Sequence, residues 1–382
     1  MSPPSAVEYE RAGRIGYFRG VDLLRALAAA TVLVWHYQHF YIGGPAIFTG
    51  SEAVFDKTIQ PFYGLLLPLY ENGFWAVQMF WAISGFVFCH VYAGRATSAA
   101  TFAAARFARL YPLNVITLIV ITIIQSISFR LLGHYQVVGS NDPIGFVQNL
   151  LFIGGWGLPG GGNFNGPIWS VSVEIAIYAL FFLIARRIFS FGLLLPVAIV
   201  FVNHLLVSNQ SPVNNFNLCI YFFFWGAIIY FWLLKFHNNP VAILVPCAFC
   251  LFMFFYYVFK GRIPQMRFYH ASIFLIAPTV LLMGWLDYSR RFHDWVKPVR
   301  WFGDTTYSTY LWHFPIQVAV LAVFEYFKLN HMIFNNPIVL IGWIVGMIAL
   351  AHVSFRKIEL PLQKFCKAAF KYASMEPDRS HA

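Results

Sequence analysis

Residues 21–40 read VDLLRALAAATVLVWHYQHF, with Asp22, Arg25, His36 and His39 set in otherwise apolar sequence. At about 1.5 Å per residue, a helix of this length crosses the roughly 30 Å hydrocarbon core of a bilayer. Apolar runs of similar length recur as far as Phe355. The composition agrees: of 382 residues, 59% are hydrophobic and only 11% charged, against roughly 25% charged in soluble domains. An ordinary soluble enzyme is excluded. Polarity is confined to short connectors, which leave no room for a second soluble domain, and the 42 Phe, 20 Tyr and 12 Trp suit lipid-facing and interfacial positions.

The pattern predicts an all-α, polytopic helical bundle with ten transmembrane spans, at about 20–41, 74–92, 113–132, 168–185, 191–207, 216–234, 240–258, 269–286, 305–324 and 337–355. With these spans, 19 of the 26 Lys and Arg fall on one side and six on the other, with Arg25 inside a span. By the positive-inside rule, that asymmetry places both termini in the cytoplasm. It also accounts for the net charge of +11 without a nucleic-acid partner. The loop carrying Lys260, Arg262 and Arg267 runs against the rule. Either the seventh and eighth spans are placed differently, or the loop is an outward basic surface for an acidic acceptor.

The expected organisation is a cytoplasmic N-terminal segment (1–18), one integral-membrane domain (19–361) and a cytoplasmic C-terminal tail (362–382), frayed and charged over 367–382. No cleavable signal peptide is evident, since residues 1–18 are polar and the first apolar segment is long enough to span. Five cysteines give no disulfide framework, and Cys247 and Cys250 form a CxxC in an apolar run without His or acidic company, so they read as packing residues.

Ionisable groups inside a span are costly and therefore functional candidates. Arg25 and His36 stand eleven positions apart, three helical turns plus roughly 20°, so both face the same way with about 16 Å between them along the axis. The alternative is structural: Arg25 pairs with Asp22 at i,i+3 and His36 is an interfacial histidine. Arg106 and Arg109, in RFARLYP, project together from the end of an amphipathic segment (Thr101–Leu110) and suit an anionic phosphate or positive-inside anchoring. In FWAISGFVF (80–88), Ser84-Gly85 permits close helix approach or a bound chain near the backbone. GGGNFNGPIWSVSVEIAIY (160–178) runs from a Gly/Asn loop into a helix on which Ser170, Glu174 and Tyr178 share one stripe, with Trp169 and Ser172 beside them. Glu174 needs a basic partner, and His36 is a geometric candidate. FGDTTYSTYLWHFPI (302–316) brings Tyr307, Ser308, Tyr310, Trp312 and His313, and FRKIELP (355–361) brings Arg356 and Glu359.

In this order and spacing, the Arg-x10-His of Arg25 and His36, the FWAISGF, the Arg-x-x-Arg of 106 and 109, the WSVSVE at 169–174, the YSTYLWHFPI at 307–316 and the ELP at 359–361 resemble the family 3 membrane acyltransferases, which O-acylate bacterial polysaccharides, lipopolysaccharide and related acceptors. Two departures stand out. Ala26 follows the Arg where the family often has Gly, and the extra C-terminal esterase-like domain of some members is not in this sequence; if that domain helps choose an acceptor, the choice is expected here in the membrane part or its outer loops.

The resemblance implies a bacterial inner-membrane enzyme that moves an acyl group, acetyl foremost, from acyl-CoA to a hydroxyl of a carbohydrate or glycolipid acceptor. Acyl-CoA is then a donor substrate, with no permanently bound cofactor and no metal. Membrane lipid surrounds the protein, and monomer and homodimer both stay open. Arg106 and Arg109 would hold the coenzyme phosphates, and Arg25 would guide the thioester end. His36, neutral at physiological pH, would deprotonate the acceptor hydroxyl, with Glu174 orienting it. Ser170, Ser172 or Tyr178 would face the developing oxyanion, and Trp169, Tyr310 and His313 complete the substrate contacts. No nucleophile with an adjacent base is evident, so transfer is expected to be direct. A transporter or flippase is the rival, but the inverted repeats or paired broken helices it calls for are not seen.

Overall fold

The structure is a computed structural model that describes residues 18–41, 55–93, 97–159, 164–207, 214–259, 268–289 and 300–373. Among these residues there are helices and turns and no strand, as the composition requires of a chain in lipid, where every backbone polar group must be paired internally. The helices are α1 (Arg19–His36), α2 (Tyr63–Asn72), α3 (Trp75–Tyr92), α4 (Ala99–Leu132), α5 (Pro143–Leu150), α6 (Ile168–Phe191), α7 (Leu194–Val207), α8 (Asn215–Phe236), α9 (Pro240–Phe259), α10 (Phe268–Tyr288), α11 (Arg300–Asp304), α12 (Thr306–Tyr326), α13 (Pro337–Ser354) and α14 (Leu360–Ala373).

Every segment expected to span falls on helical backbone. By length and composition, five helical runs among the described residues are apolar enough to cross a membrane: α3, α4, α6, α8 and Pro337–Phe370. The chain is therefore read as a multi-pass membrane protein. α7, α9 and α10 contribute shorter apolar runs. α1 carries Arg19, Asp22 and Arg25, and α12 carries a series of hydroxyls and a histidine, so both are less apolar than the others. The basic loop residues Lys260, Arg262 and Arg267, the loop glycines 160–162 with Asn163, the segment 1–17 and the tail 374–382 lie outside the described residues.

Two elements differ from expectation. The amphipathic segment and the third span are one 34-residue helix, α4, which runs through Pro112. Its ends are set by local chemistry: the Ser98 side chain accepts from Thr101 N, and Gly133 closes the helix at φ 80°. At the other end of the chain, residues 367–373 are not frayed but belong to the amphipathic α14, whose Phe370 meets Phe107 of α4 at 5.6 Å between ring centroids.

The chain divides into two packing units. The first comprises Met1–Trp35, Pro68–Ala96 and Ser170–Asp304. At its centre is α8, buried round nearly its whole circumference. α3 lies against it so closely that a Cβ added at Gly85 would collide with the Phe223 carbonyl, and one at Gly226 with the Ala82 carbonyl. Of the two roles open to Ser84-Gly85, the structure displays close helix approach. Aromatic rings extend the contact: Phe88 stacks on Tyr178 of α6 at 4.2 Å and meets Phe223 at 5.6 Å. The carboxylate of Asp287 caps α1, accepting from Gly20 N at 2.7 Å and Val21 N at 3.3 Å.

The second unit comprises His36–Leu67, Thr97–Trp169 and Thr305–Ala382. It is organised around α12, which packs on α4 and α13. Tyr307 Oη donates to the Leu110 carbonyl of α4 at 2.7 Å. Ser308 Oγ donates to the buried Glu359 carboxylate at 2.7 Å, which Gln363 also reaches, at 3.0 Å. Glu359 ends a π-helical turn (Phe355–Glu359) between α13 and α14, a distortion frequent at functional sites. Two of the motifs singled out above, YSTYLWHFPI and ELP, thus meet in space. Away from α12, α4 exposes Ile119, Ile123 and Ile127 at four-residue spacing, an apolar stripe suited to lipid.

Candidate active site

His36 closes the last α-helical turn of α1, and the chain then tightens into a 3-10 turn, Tyr37–Phe40. The turn is anchored at several points. Tyr37 Oη and Tyr41 Oη both donate to the Phe334 carbonyl, at 3.0 and 2.8 Å, and Phe40 stacks on the Phe334 ring at 4.3 Å. The backbone carrying His36 and His39 is therefore rigid.

From α12, a stripe at four-residue spacing presents Thr309, His313 and Gln317 to this turn. His313 Nε2 lies 3.1 Å from His36 Nδ1, and Gln317 Nε2 donates to the His36 carbonyl at 2.7 Å. The His39 ring is 5.0 Å from that of His36. His313 and Gln317 are fully buried, His39 nearly so, whereas His36 keeps partial exposure.

The hydrogen-bond chain sets the tautomers. His313 Nδ1 contacts the Thr309 carbonyl at 3.3 Å. A carbonyl can only accept, so Nδ1 carries the proton and neutral His313 presents a lone pair at Nε2. His36 Nδ1 must then donate to it, which leaves a lone pair on His36 Nε2. His36 thus carries its basic nitrogen at Nε2, and the sealed His313 holds the ring's orientation.

The loop entering α6 is tied to the same helix. Asn165 Nδ2 donates to the Leu311 carbonyl at 3.1 Å, and Tyr310 Oη donates to the Pro167 carbonyl at 3.1 Å. Asn165 and Pro167 are thus fastened to α12 two and three residues before His313. Tyr310 serves this fastening, and its ring lies 5.9 Å from that of His313.

The remaining expected residues are placed as follows. Arg25 lies on the same α-helix as His36, and its guanidinium meets Asp22 Oδ1 at 3.3 Å, the pairing foreseen as the structural alternative. Arg106 and Arg109 are half-buried neighbours on α4, directly before the Leu110 carbonyl that receives Tyr307. Trp169 is half-buried near the start of α6. Ser170 and Ser172 are buried on α6, Glu174 is half-buried one turn beyond Ser170, and Tyr178 is packed against Phe88. Glu174 is a residue of the first unit and His36 of the second; within its own unit, the nitrogen that meets His36 is that of His313.

Sequence reasoning named His313 only as a substrate contact, and it passed over Thr309, Gln317 and Asn165. The four-residue spacing of Thr309, His313 and Gln317, polar groups in a span, was the signal that could have found the first two. Asn165 carried no signal beyond its place in a polar loop. Among the described residues, no cluster of His, Cys, Asp and Glu is arranged to hold a metal.

A family model described as an acyltransferase domain matches residues 18–356. The chain is similar to the peptidoglycan O-acetyltransferase OatA of Listeria monocytogenes, with 23% identity over 91% of this chain and 56% of that protein. It is also similar to the acyltransferase MdmB of Streptomyces mycarofaciens, with 34% identity over 30% of this chain and 29% of that protein. The chain thus spans just over half the length of the first relative and under a third of the second. No solved structure matches. With the family model covering everything from the start of α1 to the π-helical turn, the chain belongs to the family 3 acyltransferases.

Proposed function

We propose that this chain is an inner-membrane O-acyltransferase that moves an acyl group, acetyl foremost, from acyl-CoA to a hydroxyl of a cell-envelope or exported carbohydrate. The observation that carries the reading is the His36–His313 pair, whose tautomers put a lone pair, the group that accepts a proton, on His36 Nε2. The acceptor hydroxyl gives its proton to Nε2 as its oxygen attacks the thioester carbonyl. His36 becomes an imidazolium, with Nδ1–H still directed at His313 Nε2. As the tetrahedral intermediate collapses, the C–S bond breaks, the ester forms, and the coenzyme thiolate takes the proton back from Nε2. Glu174 is proposed as a further catalytic residue, and Ser170, Ser172 or Tyr178 as oxyanion or substrate contacts.

The donor side is proposed at Arg106 and Arg109. Tyr307 ties α12 to α4 beside this pair, and His313 lies six residues further along α12, about 9 Å on the helix axis. Phosphates held by the arginines would thus send the pantetheine arm along α12 toward the histidines, and Arg25 is proposed to bind acyl-CoA as well. The full topology belongs to the same proposal: α1, α3, the C-terminal part of α4, α6–α10, α12 and α13 as ten spans, with both termini cytoplasmic, the 1–18, 19–361 and 362–382 organisation, and Arg106 and Arg109 on the cytoplasmic side. It is supported by the coincidence of the apolar segments with helices.

The test is coenzyme release from radiolabelled acetyl-CoA by purified protein in the presence of envelope glycans. His36→Ala is expected to lose activity by about 10²–10⁴-fold while still inserting and folding. Near-normal turnover in that variant would remove His36 as the base, and no acceptor-dependent release by the native protein would favour transport.

A further inference from the structure

A pocket of about 350 Å³ opens beside the C-terminal half of α4, lined by residues of α4, the α4–α5 connector, α5 and Phe164. Its volume lies in the range of small-molecule sites, roughly 300–1,000 Å³. It is distinct from the histidine pair, and all its residues belong to the second unit.

The walls are unusually constrained. Gln125 is locked by two hydrogen bonds to the backbone of Gln136, Nε2 to its carbonyl at 2.8 Å and its N–H to Oε1 at 2.9 Å. Asn141 Oδ1 accepts from Phe164 N at 2.7 Å, while Asn141 Nδ2 is a buried donor with no hydrogen-bond partner among the described residues. Phe164 has φ 63°. A non-glycine residue in the left-handed region costs of order 1–3 kcal/mol, a strain that clusters at ligand sites.

The chemistry of the lining selects the ligand. Thr122 and Ser126 spend their hydroxyl protons on carbonyls of their own helix, at 2.7 Å each, so their oxygens face the pocket as acceptors. Asp142 gives one carboxylate oxygen to Gly145 N at 2.6 Å and keeps the other. Among the described residues no basic side chain lines the pocket, which disfavours a phosphate or other anion and hence the coenzyme. An acceptor-rich cavity with one free amide donor and aromatic walls from Tyr135, Phe146 and Phe164 fits a neutral polyol, whose hydroxyls donate to the oxygens and whose C–H face lies on a ring. A cation would leave the Asn141 donor opposed. The pocket is also joined to the site: Phe164 forms its wall, and the next residue, Asn165, is bonded to α12 two residues before His313.

We propose that this pocket is the binding subsite for a neutral sugar ring of the acceptor, held by Asn141, Asp142, Thr122 and Ser126 and connected to His313 by the Phe164–Asn165 backbone. The inference rests on the reading of the protein as a carbohydrate O-acyltransferase. The sugar can belong to a free oligosaccharide or to a glycolipid head group, which present the same hydroxyls.

The experiment is saturation-transfer NMR on the full chain in lipid nanodiscs. One arm uses maltotriose and chitotriose in solution, the other a galactosyl diacylglycerol added to the disc. Ser126→Trp fills the pocket from an exposed helical position whose hydroxyl, among the described residues, bonds only to its own helix, so the fold is expected to survive. Transfer to sugar-ring protons is expected in the native protein in at least one arm, which names the source, with a loss of about 5-fold or more in Ser126→Trp. The same variant should raise the acceptor KM by a similar factor with kcat within about twofold. Equal transfer in the two proteins, or none from any of the three probes, overturns the subsite and leaves the enzymatic reading standing. Transfer abolished by Ser126→Trp in a protein that releases no coenzyme under any condition keeps the pocket and sinks the enzyme.

Discussion

The contact between α3 and α8 and the surroundings of α12 hold helices together by opposite means. In the first, two glycines remove side chains so that backbone lies on backbone, with aromatic rings packed around it. In the second, hydroxyls, amides and imidazoles spaced by one or two turns reach carbonyls and carboxylates on neighbouring segments. The apolar contact depends on shape and tolerates no added atom. The polar one depends on directed bonds, each worth about 0.5–1.5 kcal/mol, and can lose one member without collapse. Rigidity by packing and rigidity by hydrogen bonding are thus assigned to different parts of one chain, and the His36–His313 pair sits where the bonding is directional.

The largest effect should come from Gly226→Val. Its side chain has no room beside the Ala82 carbonyl, and overpacking of this kind costs 1–3 kcal/mol where neighbours can shift, and more against backbone. The expected outcome is loss of monodisperse protein on size-exclusion chromatography; a folded variant would show that the interface is looser than drawn. The next effect is His313→Phe, expected to lower kcat about 10–100-fold by freeing the His36 tautomer, with an unchanged elution profile. His313→Gln, whose amide oxygen can still accept from His36 Nδ1, should recover a measurable part of that loss and shift the pH profile less than Phe does. Equal activity of the two variants would reduce His313 to packing. The smallest effect is Tyr310→Phe, which removes the bond to the Pro167 carbonyl. It should lower thermal stability by about 1 kcal/mol and leave the coenzyme KM unchanged, as read by a melting curve in detergent and by initial rates.

Helix positions were legible because hydrophobic length is written locally. Each apolar run of α3, α6 and α8 needs nothing beyond itself to be recognised, and the caps Ser98, Asp142 and Asn336 mark starts in the same local way. The continuity of α4 was not legible, since Pro112 marks a break in most contexts, yet here the helix runs through it. Arg25, His36, Arg106 and Arg109 could be singled out because a charge or imidazole in lipid is conspicuous by its cost. The partner of His36 could not. Glu174 was the obvious complement by charge, whereas His313, 277 positions away from His36, is complementary only through a tautomer fixed by the Thr309 carbonyl. Likewise Asn165 and Leu311 lie 146 positions apart and meet through a backbone carbonyl, a group every residue has and no sequence advertises.

The unbroken length of α4 has a consequence of its own. At about 1.5 Å per residue, its 34 residues make a rod of roughly 50 Å, well over the thickness of a bilayer's hydrocarbon. Arg109 and Gln125 are sixteen positions apart on it, about 24 Å. A single stiff element therefore acts as a ruler that sets the distance between the basic pair and the sugar-sized pocket, and a bilayer that tilts or strains this rod would move both ends together.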